Sequence, residues 1–103
     1  MEDLKGRFKS EMVDIYERAK EECGYNATRF RQMVERLGGL EAAQALLRST
    51  DLSDGFTALW ELGRLDLTVE ALVLRDPWKP LFTDQELEVA RRRLADLGYN
   101  PTQ

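Results

Sequence analysis

The 103-residue chain contains no histidine. That absence removes the side chain most often used as a general base near neutral pH, the commonest nitrogen ligand for zinc, and the proton carrier of a hydrolase triad. Cys23 is the only cysteine, so neither an intrachain disulfide nor a multi-cysteine metal site can form. A reducing, cytoplasmic setting is the expectation. No stretch approaches the roughly eighteen consecutive apolar residues of a membrane span. The opening Met1-Glu2-Asp3-Leu4-Lys5 is acidic where a signal peptide is basic. Neither a membrane partner nor secretion is therefore expected. A basic excess is missing as well: fifteen Lys and Arg against nineteen Asp and Glu leave a net charge of −4. A domain that binds nucleic acid with its whole surface normally carries a positive surplus, because phosphate neutralisation supplies most of the affinity.

Glycine and proline are sparse, at seven and three, and they punctuate a pattern that is otherwise helical. Leu4, Phe8, Met12, Ile15 or Tyr16, Ala19 and Cys23 recur at spacings of three and four, which predicts a first helix over residues 2–22. Gly24 sits where a left-handed stop is needed, and Asn26 is placed to cap a second helix over 27–37. Phe30, Met33, Val34 and Leu37 give that helix its apolar face until Gly38-Gly39. A third helix is expected over 40–48, then a turn over 50–55 and two short helices over 54–62 and 67–75. Asp66 is the expected cap of the second of these. Asp76-Pro77-Trp78-Lys79-Pro80 breaks the pattern, since each proline removes a donor and biases its predecessor away from the helical region. Thr83 and Glu86 then form a capping box, with Phe82 and Leu87 as its hydrophobic staple, opening a last helix that Gly98 stops.

These elements predict an all-α fold: one compact domain of five or six short helices in an orthogonal bundle. The expected core is Phe30, Leu37, Leu59, Trp60, Leu62, Leu72, Leu87 and Leu94.

Few residues carry chemistry. Cys23 follows Glu21 and Glu22 at a predicted helix C-terminus, where the dipole disfavours a thiolate, so it reads as inert. Glu61, Asp66 and Glu70 flank the apolar middle and could bind a divalent cation, but their spacing also fits capping and ion pairing with arginines. No Walker motif or EF-hand is present, and no cofactor is expected. Arg29, Arg31 and Arg36 on the second helix, Arg48 on the third and Arg91-Arg92-Arg93 on the last are the basic clusters. Three consecutive arginines spread over about 200° of a helix and cannot form one stripe. Trp60 reads as core, whereas Trp78, between two prolines, reads as a partly exposed contact residue.

The strings Gly24-Tyr25-Asn26-Ala27-Thr28-Arg29-Phe30, Gly55-Phe56-Thr57 with Leu59-Trp60-Glu61, Gly63 to Leu72, and Pro80-Leu81-Phe82-Thr83 with Glu86-Leu87 resemble an uncharacterised family of small bacterial proteins. The resemblance spans residues 8–99 and implies a small bacterial cytoplasmic module, with no activity attached.

The leading expectation is a non-enzymatic protein–protein interaction module, self-associating or serving as an accessory subunit. Trp78, Leu81 and Phe82 would dock on the partner, with Arg64, Arg29 and Arg31 among the charges that orient it. The alternatives are nucleic-acid binding through a helix-turn-helix-like pair of helices, and a carboxylate enzyme using a divalent metal.

Overall fold

The computed structural model describes residues 3–99, and among them every regular element is helical. Six α-helices follow one another: α1 (Leu4–Cys23), α2 (Thr28–Leu37), α3 (Gly39–Arg48), α4 (Asp54–Glu61), α5 (Val69–Val73) and α6 (Asp84–Asp96). Single 3-10 turns at Leu65–Leu67 and Lys79–Leu81 precede α5 and α6. The expected all-α fold is the one observed.

The ends of the helices follow local chemistry. At the end of α1, Gly24 takes φ +69°, and the amides of Gly24 and Tyr25 donate to the carbonyls of Lys20 and Ala19. This is the left-handed stop that glycine adopts without steric cost. Thr83 and Glu86 make the reciprocal capping box of α6. One boundary differs from expectation. Asp66 does not cap the helix after it, because Arg64 holds its carboxylate through two hydrogen bonds of 3.0 and 3.1 Å. Thr68 caps α5 instead: its hydroxyl accepts from the Ala71 amide at 3.1 Å and donates to the Leu65 carbonyl at 2.7 Å. The expected helix 67–75 is thereby shortened to α5, Val69–Val73, with the 3-10 turn Leu65–Leu67 before it.

The main core forms where α1 crosses α2 and α3 and where α6 closes over α5. Phe8, Met12 and Ile15 of α1 meet Val34, Ala42, Ala43 and Leu47, with Leu72, Val73, Leu87 and Leu94 beneath. Of the expected core, Leu59, Leu72, Leu87 and Leu94 are buried, and Phe30 and Leu37 pack half-buried against it. Trp60 and Leu62 are corrections, each 48% exposed. Phe56 and Leu59 are the pair that α4 turns inward. Trp60 lies one residue further, about 100° around the helix, and faces out.

Trp78 and Phe82 reverse in the opposite direction: both are buried, and Leu81 is half-buried against the core. The segment between α5 and α6 packs against α1. There Phe8 meets Trp78 at 5.6 Å and Phe82 at 5.4 Å, both edge to face, while the Arg7 guanidinium covers the Trp78 ring at 5.8 Å. Prolines mark a break in the helix, but Trp78 between them and Phe82 just after them serve the core.

Candidate functional site

A pocket of about 400 Å³ opens between α1, α2 and α4. Its construction begins at the end of α1. The Schellman turn at Gly24 sends the chain back, and Asn26 accepts a hydrogen bond from the Tyr16 hydroxyl at 2.8 Å. With Asn26 so engaged, Ala27 occupies the cap position of α2, and no side chain caps the first amides of that helix. This corrects the expectation that Asn26 is the cap. The stripe of α1 then supplies Ile15 and Ala19 to the pocket, α2 supplies Phe30 and Met33, and the inner face of α4 supplies Phe56 and Leu59.

Polarity divides the lining by depth. Ile15, Ala19, Phe56, Leu59, Leu67 and Val69 are buried and apolar. Asn26, Thr28, Arg29 and Asp54 are exposed and form the rim. Across the mouth, Arg29 Nη1 lies 3.9 Å from Asp54 Oδ2, a separation at which two solvated groups attract each other weakly. Arg31 is bound within α2 by Glu35 at 3.0 Å, and its guanidinium sits 5.8 Å from the centre of the Tyr16 ring.

One carboxylate lies among the deep residues. Glu70, in the first turn of α5, is buried, and burial pushes its carboxyl above the ordinary range, opposed by its own backbone amide and by Arg93. Arg93 donates to Glu70 at 3.0 Å and also to the backbone carbonyls of Leu46 and Ser49. The charge is thus already matched by a fixed partner.

The residues expected to carry function are distributed differently. Trp78 and Phe82 serve the core, and Arg29 and the α2 end of the pocket come together. Arg64 bridges Glu22 at 2.8 Å and Asp66 at 3.0 Å. Arg18 and then Arg64 hold the Glu22 carboxyl below its usual range, and Arg64 does the same for Asp66. Cys23, half-buried, stands 3.8 Å from Arg64 Nη1. Among the candidate metal-binding carboxylates, Asp66 is held by Arg64, Glu70 by Arg93, and Glu61 is exposed at the end of α4. Among the described residues no group of three His, Cys, Asp or Glu side chains could hold a metal ion. Of the basic residues weighed for nucleic acid, Arg48 pairs with Glu86 at 3.1 Å, Arg91 with Glu88 at 2.9 Å, and Arg93 turns inward. The pocket residues Tyr16, Tyr25 and Met33 had no signal as site residues, because in sequence each belongs to an ordinary amphipathic helix or its stop.

Among the described residues, the large apolar side chains that are exposed fall within one segment: Leu52, Trp60 and Leu62, on α4 and just beyond its two ends. The charged residues of 49–63 are Asp51, Asp54 and Glu61, all acidic and all exposed. No helix among the described residues is long and apolar enough to cross a membrane. Comparison with protein-family models, with curated proteins and with solved structures gave no match.

Proposed function

We propose that the chain is a non-enzymatic interaction module that docks on a protein partner through the exposed side of α4 that carries Trp60. The observation that carries this reading is the confinement of the half-exposed Leu52, Trp60 and Leu62 to one eleven-residue segment while the other tryptophan is buried. Scattered surface leucines need no explanation, but an exposed tryptophan with apolar neighbours in sequence is the composition of an interface anchor. Asp51 and Glu61, both acidic and exposed, are the charged residues next in sequence to these apolar side chains, while Asp54 faces Arg29 across the pocket mouth. A second copy meeting this face through a two-fold axis would bring like charges together. A partner with an apolar cleft bordered by Lys and Arg fits better.

The test uses Trp60 as its own reporter. Substituting Trp78→Phe leaves Trp60 as the sole tryptophan. A protein captured from the source cell by the wild-type chain, and lost with Trp60→Ala, is titrated into that variant. The expected result is a blue shift of Trp60 emission that weakens as salt rises. Equal capture by Trp60→Ala, or an unshifted Trp60 emission, overturns the reading.

A further inference from the structure

We propose that the pocket between α1, α2 and α4 is a binding site for a small amphipathic carboxylate, with its apolar body inside and its carboxylate at the mouth beside Arg29. This inference is independent of docking through the exposed side of α4 that carries Trp60, since Trp60 and Leu62 do not line the pocket.

The cavity carries the argument. Its volume of about 400 Å³ falls within the range of roughly 300–1,000 Å³ usual for small-molecule sites. Apart from Thr68, whose hydroxyl is taken by Leu65 and Ala71, and Glu70, its deep residues are aliphatic and aromatic, and burying a ligand's polar group among them without a partner is unfavourable. Glu70 does not change that conclusion, because its carboxylate is occupied by Arg93. The ligand body that fits is therefore apolar.

The mouth selects the polar end. Arg29 is 93% exposed and its nearest carboxylate, on Asp54, is 3.9 Å away, so the guanidinium is free to form a closer, charge-assisted pair. The Thr28 amide donates to the Asn26 carbonyl at 2.9 Å, and the next amides in the first turn of α2, those of Arg29 and Phe30, have no side-chain cap and add positive partial charge on the same side. A carboxylate placed there displaces a weak surface contact and gains donors. An ammonium at the same place would meet Asp54 but would face Arg29.

Dodecanoate, dodecanol and dodecylamine, each titrated calorimetrically into the full chain below its aggregation concentration, test this. Expected is saturable one-to-one binding of dodecanoate, about two- to fivefold tighter than dodecylamine, in keeping with an ion pair at a solvated mouth. Arg29→Gln should weaken dodecanoate by about the same factor and leave dodecanol unchanged. Amide chemical-shift changes on the wild-type chain should centre on residues 28–30 and 55–59, which keeps the test independent of any variant's folding. Absence of saturable dodecanoate binding overturns the proposal. Equal affinity for the three ligands overturns the carboxylate assignment, and shifts confined to residues 60–62 overturn the pocket as the site.

Discussion

Arg93 on α6 donates to the Glu70 carboxylate of α5 at 3.0 Å, with 11% and 3% of the two side chains exposed. The same guanidinium donates to the Leu46 and Ser49 carbonyls at the end of α3, so one side chain ties three helices together. Removing only the cation leaves a buried carboxylate without its partner, which costs about 3–5 kcal/mol in comparable pairs. Arg93→Ala is expected to lose that much at neutral pH. The loss should shrink on acidification, because Glu70, already shifted upward by burial, then takes up a proton.

The Glu70→Gln variant isolates the linkage. A carboxyl whose folded-state pKa is raised binds protons more tightly when folded, so its contribution favours the folded state at low pH and declines as pH rises through the raised value. The stability of wild type relative to Glu70→Gln should therefore fall between the ordinary glutamate range and that raised value. Glu22 and Asp66, held low by Arg18 and Arg64, lose stability on acidification in both proteins and cancel from the difference. Urea melts at a series of pH values read it directly. A wild-type advantage that grows with pH would contradict the assignment.

The two tryptophans make opposite claims on stability. Trp78, 6% exposed and packed on Phe8, should cost about 3–5 kcal/mol when replaced by alanine. Trp60→Ala should change stability by only about 0.5 kcal/mol. In single-tryptophan variants, acrylamide should quench Trp60 strongly and Trp78 weakly. The reverse order would place the exposed face of α4 in the core.

Local chemistry in the sequence reaches as far as the helices and their caps. The Thr83–Glu86 box and the Gly24 stop involve residues a few positions apart, and the structure carries both. The packing partners of each face lie at longer range. Trp60 has the periodicity of a core residue, yet α4 is so short that Phe56 and Leu59 exhaust its inner face. Trp78 has the proline context of a loop, yet its partner Phe8 is seventy residues earlier. The pocket needs α1, α2 and α4 together, so no single segment announces it. Glu70 reads as a helix-surface companion of Asp66, while its actual partner, Arg93, is 23 residues away.

Thr68 and Asp66 compete for one capping role, and mutation separates them. Thr68 is buried and its hydroxyl makes two hydrogen bonds, so Thr68→Ala should lose about 1–2 kcal/mol, with Thr68→Ser retaining most of it. Asp66→Ala removes a partly solvated ion pair with Arg64 and should cost no more than about 1 kcal/mol. Thermal unfolding of the three variants orders them. A larger loss for Asp66→Ala would restore Asp66 as the residue that organises the start of α5.

Gly39 and Gly55 both lie in the first turn of a helix, and alanine should act on them with opposite sign. A Cβ on Gly39 would stand 2.6 Å from the Lys9 Cα and 3.1 Å from its backbone nitrogen. Neither atom can retreat by a change of rotamer, so α1 and α3 would have to separate. Overpacking of this kind costs about 1–3 kcal/mol, against about 1 kcal/mol gained from the higher helix propensity of alanine. Gly39→Ala is therefore expected to destabilise. At Gly55 the nearest atoms to a new Cβ, the Ser53 and Tyr25 hydroxyls, are 3.9 Å away. With no contact to relieve, Gly55→Ala keeps the propensity gain of about 0.5–1 kcal/mol. Chemical denaturation of the two variants checks the pair: a stabilising Gly39→Ala would mean that α1 and α3 do not approach as closely as 2.6 Å implies.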